Sequence, residues 1–529
     1  MSLLVSGENV SNTDEVRQKV HHWIFIAAIS FLAIGLSTSK VFISIAELVL
    51  GLNWIAEGNY TAKWKRFTSN KPALVLCSFY IMHLLGLIYS TDFSFGVEDI
   101  RVKIPLLILP FMFCTSDALN EKERNLVLGL YTGALTVVSF IGLYRIKHHL
   151  FIDIHQIVPY VSSIRLALMM VLSILLLLGY VFSRKWSWIS WVLLVWALWL
   201  FAFLFIMESL TGIVMMGILG LILVVYFAFK EIKQKRFLVG ISLILFIGLA
   251  VIGSASYLLH FYHKYFPVPD KSEYIMTDIF SAKGLPYYTG PAFEGVENGH
   301  VVKRYVSPGE LSDIWNKRSK MPYDSLDKKG NGIQFTLVRY LTSMNLRKDS
   351  IGISKLTAND IKAIENGIPN YNFTSASSME FRLYQAFWEV QDYRQGGNLS
   401  GHSITQRIEF WKAAVGIIKQ HWLIGVGTGD VKKAFAAQYE AMHTNLSMGF
   451  RLRSHNEYLE IGVASGIIGV IWLLFSLIYP AVKTRKLYTY AYFVFWAIFV
   501  MSMFSEDTLE TQAGATFYAF FNSFFLFLA

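Results

Sequence analysis

The sequence has little charge and little cysteine, and each scarcity excludes a class of protein. Only 16% of its 529 residues are charged, whereas a soluble protein carries roughly 25%. Its two cysteines, Cys77 and Cys114, lie in apolar runs, so a disulfide framework outside a membrane is excluded and no Cys/His metal site is visible. Residues 1–19 lack the apolar core of a signal peptide, and we expect the first apolar run to be a retained span.

What the chain has instead is apolar residues in long runs. Hydrophobic residues make up 54% of it, and many runs approach the ~20 residues that a membrane-crossing helix needs. We predict an all-α polytopic membrane protein with about twelve transmembrane helices, so the net charge of +10 is not a nucleic-acid signal. The fourth helix contains Pro105 and Pro110 and is expected to be kinked or partly re-entrant. The predicted spans lie near residues 22–39, 41–57, 73–90, 104–115, 125–144, 163–182, 188–207, 211–229, 237–259, 455–480, 487–504 and 512–528.

Basic residues fall on every second connection between these spans. By the positive-inside rule, those connections and both termini are cytoplasmic. The opposite side then receives one large loop before span ten, which we predict to be mostly helical. The predicted domains are residues 1–259 with nine spans, residues 260–454 as a loop domain, and residues 455–529 with three spans. The basic residues are Lys63, Lys65, Arg66, Lys71, Lys122, Arg124, Arg184, Lys185, Lys230, Lys233, Lys235, Arg236, Lys483, Arg485 and Lys486.

Within the loop, residues 260–330 are rich in Gly, Pro, Asp and Lys and look irregular, whereas the rest has the pattern of several helices. Thr357 is expected to cap one helix, and Ser403 opens another with a capping box. The second helix carries an apolar stripe at helical spacing, which we expect to pack against the rest of the loop or the membrane face. The stripe consists of Ile408, Trp411, Val415, Ile418 and Trp422.

His455 is the first candidate for chemistry. Ser454 and Glu457 have the spacing of a capping box, which predicts that a helix starts here with His455 in its first turn. The positive end of a helix attracts anions and disfavours imidazolium, so a neutral histidine able to act as a base is expected there. The alternative is an interfacial residue at a helix start with no role in catalysis.

Arginine is the residue type expected to hold phosphate, because its planar fork makes bidentate charge-assisted hydrogen bonds. Arg407 lies at the start of the helix that opens at Ser403, and Arg165 lies at the outer mouth of span six. We assign both as candidate ligands of a pyrophosphate. A solvated surface position for Arg407 and a snorkelling side chain for Arg165 are the alternatives. Secondary candidates are Arg453, Lys103, Asn456 and Glu457.

Three further segments are assigned no ligand. Residues 425–429 (GVGTG) lack the following Gly-Lys-Ser/Thr and the strand context of a nucleotide loop, which favours a flexible turn between two loop helices. Gly462, Gly466 and Gly469 are typical of small-residue helix packing. The acidic stretch 505–510 fits no particular metal geometry and is expected to be a polar outer loop. We therefore predict a site without metal or cofactor.

Blocks of the sequence together resemble a known family. They are residues 406–414 (QRIEFWKAA), 425–430 (GVGTGD), 454–460 (SHNEYLE) and 466–469 (GIIG), and Arg165 at the mouth of a span. The chain resembles the O-antigen ligase and polymerase superfamily, whose inner-membrane members handle undecaprenyl-linked glycans. The resemblance departs at Met169, where the ligase pattern often has leucine, and residues 260–400 are longer than expected for a ligase and match no part of it.

The resemblance implies an O-antigen ligase-like glycosyltransferase of the Gram-negative inner membrane, with the large loop and active site in the periplasm. The donor would be a glycan on undecaprenyl pyrophosphate, and the acceptor a hydroxyl of the lipid A core or of another glycan or protein. His455 would act as general base, and Arg165 and Arg407 would clamp the pyrophosphate. Inversion at the anomeric carbon without a metal is expected.

Two kinds of alternative stay open. An O-antigen polymerase or a protein O-oligosaccharyltransferase of the same superfamily would share the donor. A transporter or flippase for the same lipid-linked glycan belongs to another class. It should show broken helices, charges near the middle of the membrane and an inverted repeat. The sequence displays none of these, which favours the enzyme.

Overall fold

The computed structural model describes residues 5–148, 150, 157–159, 161–290, 295–374, 378–394 and 402–529. Nearly all regular structure in these ranges is helical. The strands that they contain are β1 (Val296–Glu297) and β2 (His300–Val301), which pair antiparallel with Val296 opposite Val301. The prediction of an all-α polytopic membrane protein is confirmed.

The helices follow one another along the chain. The first are α1 (Val5–Thr38), α2 (Lys40–Glu57), α3 (Tyr60–Ser69), α4 (Lys71–Ile88), α5 (Phe93–Lys103), α6 (Pro105–Thr115), α7 (Glu121–Lys147), α8 (Ser163–Phe182), α9 (Trp188–Ile206), α10 (Leu210–Lys233) and α11 (Phe237–Tyr265). Shorter helices come next: α12 (Pro308–Arg318), α13 (Ile333–Ser343), α14 (Ser350–Ser354), α15 (Ala358–Glu365), α16 (Ser378–Arg394), α17 (Ser403–Gln420) and α18 (Val431–Ala441). The last are α19 (Glu457–Lys483), α20 (Tyr490–Ser502) and α21 (Gln512–Ser523).

Eight helices in the described residues are long and apolar enough to cross a membrane, namely α1, α4, α7, α8, α9, α10, α11 and α19. The pair α2 and α3 would make a ninth span, although it is bent by 116°. The other predicted spans coincide with α6, α20 and α21, which have 11, 13 and 12 residues. In α6, Pro105 occupies the first turn and Pro110 lies inside the helix. The predicted number of twelve spans is therefore not confirmed.

Contacts between residues divide the chain into two compact units. Unit 1 holds residues 1–151, 155–219 and 406–529, and unit 2 holds residues 152–154 and 220–405. The final part of the predicted loop domain thus belongs to unit 1, together with α19, α20 and α21. The three predicted domains stay a prediction.

Unit 2 has a hydrophobic core of its own. Trp315 of α12, Leu337 of α13 and Ile364 of α15 are fully buried within it. The hydroxyl of Thr357 accepts a hydrogen bond from the backbone N–H of Asp360, which confirms the predicted cap of α15. A second, aromatic cluster joins the end of α11 to α16. It contains Phe261, Tyr265, Phe266, Phe373, Phe381 and Tyr384.

In unit 1, α19 is interrupted near its middle. Gly466 has φ 62° and ψ −160°, outside the helical region. Residues 421–429, here called the strap, connect α17 to α18 and replace the lost helical hydrogen bonds. Val426 N donates to a carbonyl of α19 at 2.9 Å, and Ile467 N donates to Trp422 O at 2.8 Å. Because backbone polar groups at membrane depth need partners, the strap stabilises the break.

Glycine is required where the strap meets α19. A Cβ at Gly466 would overlap the backbone of Leu423, and a Cβ at Gly425, which has φ 69°, would overlap the backbone of Ala464. The strap does join two helices as predicted, but it is packed against α19 rather than forming a free turn. Gly466, predicted to be a packing position, is instead the residue at which the helix breaks.

The face that α17 buries differs from the predicted one. Its buried apolar residues are Phe410, Ala413, Ala414 and Ile417. The residues of the predicted stripe that are exposed are Trp411, Val415 and Trp422. The buried face is offset by one residue because Phe410 packs towards Tyr439 of α18, with ring centroids 6.5 Å apart, and the alanines below it allow close packing. Packing of the stripe against the rest of the loop is therefore wrong for these three residues, and packing against the membrane face, the other predicted arrangement, stays a prediction.

Candidate active site

His455 lies immediately before α19 rather than in its first turn. The helix begins at Glu457, and Asn456 is its N-cap, whose side chain accepts a hydrogen bond from Leu459 N at 3.1 Å. The predicted capping box of Ser454 and Glu457 is therefore wrong. Asn456 takes the capping role because its side chain is one of the strongest N-caps.

The backbone at His455 is strained and held in place by its neighbours. Its φ of 46° is in the left-handed region, which costs a non-glycine residue on the order of 1–3 kcal/mol. Glu457 N donates to Met503 O at 2.9 Å, and the Asn456 side chain donates to Phe504 O at 3.0 Å. The two secondary candidates, Asn456 and Glu457, thus bind the end of α20 and fix the position of His455.

The acidic stretch 505–510, here called the acidic loop, lies beside His455. The Oδ1 atom of Asp507 is 3.4 Å from Nδ1 of His455, an ion-pair distance without the alignment of a good hydrogen bond. The Phe410 ring packs near the imidazole, with centroids 5.7 Å apart. With Nδ1 directed at a carboxylate, Nε2 is the nitrogen able to accept a proton from a substrate.

The charge around His455 is opposite to the one expected from the sequence. Burial lowers the pKa of the imidazole, but the carboxylates of Asp507 and Glu506 raise it by more, so the pKa lies above its ordinary value. The sequence argument put His455 at the positive end of a helix, where a neutral imidazole is favoured. That argument is wrong because His455 precedes the helix and faces two acidic side chains.

Arg407 pairs with the acidic loop. It lies on α17, which begins at Ser403 as predicted, and one of its guanidinium nitrogens is 3.0 Å from Oε1 of Glu506. The Arg407 side chain keeps 24% of its surface exposed, whereas the Glu506 side chain keeps 9%. A guanidinium has five N–H donors, so most of those on Arg407 are left for a ligand.

The charge of Arg165, at the start of α8, acts on the same carboxylate. Arg165 lies in the first turn of that helix, after the N-cap Ser162. Burial raises the pKa of Glu506 above its ordinary value, while the positive charges of Arg407, His455 and Arg165 oppose that rise. The buried Nε of Arg165 has no hydrogen-bond partner in the described part of the chain. His455 and Arg407 therefore lie beside Glu506, and the charge of Arg165 acts on the same carboxylate.

Two secondary candidates, Lys103 and Arg453, are already neutralised by carboxylates of the protein. Lys103 is 1% exposed, and its ammonium is 2.6 Å from both Asp99 and Glu510. Arg453 is 2.6 Å from Glu510 and 3.3 Å from Glu460. Burial would raise the pKa of Glu510, but Lys103 and Arg453 hold it well below its usual range. These two cations hold the acidic loop in place.

The side chains of His455, Glu506 and Asp507 lie close enough together to hold a metal ion, since their ligand atoms are within 4.8 Å of one another. Each carboxylate already faces an arginine. Arg407 is 3.0 Å from Glu506, and Arg453 is 3.9 Å from Asp507. These guanidinium groups supply the positive charge that a divalent cation would otherwise bring. The absence of a metal from the mechanism stays a prediction.

Sequence reasoning missed the acidic loop as part of the site. Glu506 and Asp507 contact Arg407 and His455 directly, although they were assigned only to a polar outer loop. The signal that could have found them was available. The charge pattern of the connections put residues 505–510 on the same side as His455, where acidic residues are natural partners for arginines and a histidine.

Residues 371–474 match the family model described as O-Antigen ligase. The matched segment includes Arg407, the strap and His455, whereas Arg165 and the acidic loop lie outside it. No protein of curated function matches the chain. The matched segment is about a fifth of the chain, and over that segment the match confirms the resemblance to the O-antigen ligase and polymerase superfamily.

Proposed function

We propose that the protein is an O-antigen ligase-like glycosyltransferase that moves a glycan from undecaprenyl pyrophosphate to an acceptor hydroxyl with inversion. The observation that carries the proposal is that Arg407 and His455 lie beside Glu506 and Asp507 of the acidic loop, with the charge of Arg165 acting on Glu506. A base beside paired guanidinium groups suits transfer from a pyrophosphate leaving group. The family match supports lipid-linked glycans as the class of substrate.

Arg407 and Arg165 bind the pyrophosphate of the donor. Both guanidinium groups stay ionised at any physiological pH and fit phosphate oxygens bidentately. Glu506 offsets part of their positive charge before the donor arrives and is displaced by the pyrophosphate, which carries more charge. As the bond to the sugar lengthens, negative charge grows on the pyrophosphate, and the same guanidinium groups stabilise it.

His455 removes the proton from the acceptor. The Nε2 lone pair takes the hydroxyl proton while the acceptor oxygen forms a bond to the anomeric carbon. The bond between that carbon and the pyrophosphate oxygen breaks, and the electron pair leaves with the lipid pyrophosphate. Asp507 orients the ring and stabilises the imidazolium that forms, as carboxylates do in other acid–base pairs. Pyrophosphate is a stable anion, so the leaving group needs no strong acid and no metal.

The acceptor that we propose is a sugar of the lipid A core, with the reaction on the periplasmic face of the Gram-negative inner membrane. A polymerase or a protein O-oligosaccharyltransferase would use the same donor site with another acceptor. A gene deletion distinguishes them. Loss of surface polysaccharide from an intact core indicates a ligase, capping by single repeats indicates a polymerase, and loss of glycoproteins indicates a protein transferase.

A transporter for the same lipid is the candidate from another class. The sequence argument against it relied on the lack of broken helices, and that part is wrong, because α19 breaks at Gly466. The backbone groups freed by the break, however, are hydrogen-bonded to the strap, through Val426 N and Trp422 O. Transporters leave such groups open to a cavity for ions or substrate, so the break does not favour transport.

The test uses the full-length protein purified into lipid nanodiscs with an undecaprenyl pyrophosphate-linked glycan and lipid A core. Glycan transfer and release of the lipid pyrophosphate are measured together. We expect His455→Ala to lower the rate by about 10²–10⁴, while His443→Ala, a change at an exposed histidine of the same segment, has wild-type activity. Full activity of His455→Ala would remove the base assignment. Transport of the glycan without release of pyrophosphate would favour the transporter.

A further inference from the structure

A cavity at the ends of two neighbouring membrane helices is lined by basic side chains. Its volume is about 580 Å³, within the range of about 300–1,000 Å³ that small-molecule sites occupy. Arg66 of α3, Lys71 at the start of α4 and Lys483 at the end of α19 line it. We call it the basic cavity. The proposed transfer reaction uses none of these residues.

The positive charge of the basic cavity is only partly offset. Arg66 is paired with Asp117, with one guanidinium nitrogen 2.8 Å from Oδ1, and the same nitrogen donates to Thr115 O at 3.3 Å. Lys71 and Lys483 are exposed and form no ion pair within the described residues. The described residues that line the cavity include no acidic side chain. Three basic groups against one carboxylate leave positive charge for an anion.

These basic groups come from connections that are distant in the sequence. The helices α4 and α19 pack side by side, and Trp472 Nε1 donates to Ser78 Oγ at 3.2 Å. The start of α4 and the end of α19 therefore meet at one membrane surface, the one that the positive-inside rule predicts to be cytoplasmic. Basic residues at helix ends are ordinary there, but here three of them share one hollow, so a single anion can contact more than one of them.

The short helix α3 places the basic cavity at the level of the lipid head groups. It has 10 residues, too few to cross the hydrocarbon layer, and it is bent by 116° from α2. Tyr60 and Trp64 lie one turn apart on it and are 52% and 60% exposed, and these residue types are enriched at the membrane–water interface. α3 therefore lies along the interface, and Arg66 enters the cavity from the head-group layer.

An apolar stripe on α19 leads to the basic cavity. Its exposed residues, spaced by three or four positions as on one helical face, are Ile471, Phe475, Ile478 and Val482. Because α19 is long and apolar enough to cross a membrane, this face contacts acyl chains. Val482 directly precedes Lys483, so a lipid whose chains lie on the stripe has its head group beside the cavity. This continuity favours a lipid over a free anion as the occupant.

We propose that the basic cavity binds the phosphate group of an anionic phospholipid. The guanidinium of Arg66 fits phosphate oxygens with its planar fork, while Lys71 and Lys483 act as point charges. Basic pockets between membrane helices on the cytoplasmic side are suited to such head groups. A zwitterionic phospholipid also brings an ammonium group, which the three basic side chains disfavour. The lipid is therefore one whose head group is negative overall, such as phosphatidylglycerol.

The test measures the unfolding temperature of the full-length protein in detergent while phosphatidylglycerol, phosphatidylcholine or inorganic phosphate is added. A ligand that binds only the folded protein raises this temperature, and the concentration dependence gives its affinity. At equal concentration, we expect phosphatidylglycerol to raise it clearly more than either of the others. An equal rise with inorganic phosphate would indicate a site for a free anion, and an equal rise with phosphatidylcholine would indicate unselective lipid binding. Either result would overturn the proposal.

A pair of matched double variants locates the binding. Lys71→Gln with Lys483→Gln removes two cations of the basic cavity. Lys122→Gln with Lys230→Gln changes the net charge equally at exposed lysines that do not line it. Each lysine near an anionic head group contributes about fivefold in affinity, so the cavity variant should bind phosphatidylglycerol roughly 25-fold more weakly, and the control like the wild type. Equal affinities of the two variants would contradict the proposal.

A third variant tests the site through a gain of affinity, which damage to the fold does not produce. Asp117→Asn removes the carboxylate that lies 2.8 Å from the Arg66 guanidinium, at an exposed position. The positive charge of the basic cavity then rises, and we expect phosphatidylglycerol to bind more tightly than to the wild type. Unchanged or weaker binding of phosphatidylglycerol by Asp117→Asn would contradict the proposal.

Discussion

Arg407 and Arg453 lie in the same site and are almost equally exposed, yet their surroundings differ. The exposed fraction of the side chain is 24% for Arg407 and 26% for Arg453. In the described part of the chain Arg407 pairs with one carboxylate, Glu506, at 3.0 Å. Arg453 lies between Glu510 at 2.6 Å and Glu460 at 3.3 Å. We call Arg165 and Arg407 the rim, and Lys103 and Arg453 the floor.

Neither charge nor exposure therefore identifies a ligand-binding arginine in this molecule. What differs is the number of carboxylates that already neutralise each cation. A floor cation with two or three acidic partners has no charge left for a phosphate, and removing it leaves buried carboxylates unpaired. A rim arginine with one shared partner can exchange that partner for the pyrophosphate. The rim is therefore expected to determine activity, and the floor to determine stability.

The largest effect is expected at the floor, from Lys103→Met. This change leaves Asp99 and Glu510 without the buried cation that lies 2.6 Å from both. Breaking a buried pair in this way costs about 3–5 kcal/mol, so the purified protein should unfold at a clearly lower temperature or fail to accumulate. Lys122→Met, at an exposed position, is the control and should unfold like the wild type. A stable but inactive Lys103→Met protein would contradict this prediction, because it would indicate that Lys103 takes part in activity as the rim arginines do.

The next effect is expected at the rim, from Arg407→Ala. Removing a donor that stabilises charge in the transition state should lower the rate of glycan transfer by about 10²–10³. Arg407→Lys should be nearly as damaging, because an ammonium cannot bind two phosphate oxygens in the planar fork geometry. Thermal unfolding is measured alongside and should change little. A mild effect of Arg407→Lys would indicate simple charge attraction instead.

A smaller effect is expected from Asp507→Asn, which concerns the base rather than the anion site. The Asp507 carboxylate raises the pKa of His455, and the base works only when the imidazole is neutral. Activity should therefore rise with pH through that pKa, and loss of the carboxylate should move this limb of the pH–rate profile to lower pH. Glu440→Gln, at an exposed position, is the control. A limb that stays in place, or moves to higher pH, would show that the Asp507 carboxylate does not raise the pKa of His455.

The smallest effect is expected from a chelator. The ligand atoms of His455, Glu506 and Asp507 lie close enough to hold a metal ion, so this prediction has a definite alternative. We expect glycan transfer to persist in EDTA, since Arg407 and Arg165 supply the positive charge. Loss of activity in EDTA that is restored by a divalent cation would indicate that a metal ion, rather than the rim arginines, supplies this positive charge.

The sequence was sufficient to nominate His455 and Arg407, which lie beside Glu506, and Arg165, whose charge acts on it. Arg165 stands out because a charged residue at the mouth of a span is costly unless it serves a purpose. His455 stands out at the start of an apolar helix, whereas Arg407 was nominated by the chemistry of arginine and by the resemblance to the family. Most of the long helices were predictable from the length of their apolar runs. Four of the predicted spans depart from that simple pattern, because α6, α20 and α21 are short and the pair α2 and α3 is bent.

The predictions that were wrong concern features that depend on contacts between residues distant in sequence. The start of α19 is set by Asn456 together with contacts to Met503 and Phe504, which no local pattern reveals. The buried face of α17 is set by α18 and α19, and the break at Gly466 is stabilised by the strap. Lys103 could be recognised as interfacial from its sequence, but its burial between Asp99 and Glu510 could not.

The most direct test of the rim is a pair of matched Arg→Lys substitutions in the binding of undecaprenyl pyrophosphate. The lipid is titrated into the wild type, Arg407→Lys and Arg453→Lys in nanodiscs, and the affinity of the folded protein is measured. We predict that Arg407→Lys weakens binding roughly tenfold, whereas Arg453→Lys, which keeps the charge between Glu510 and Glu460, binds like the wild type. Equal affinities for all three proteins, or a larger loss for Arg453→Lys, would contradict it.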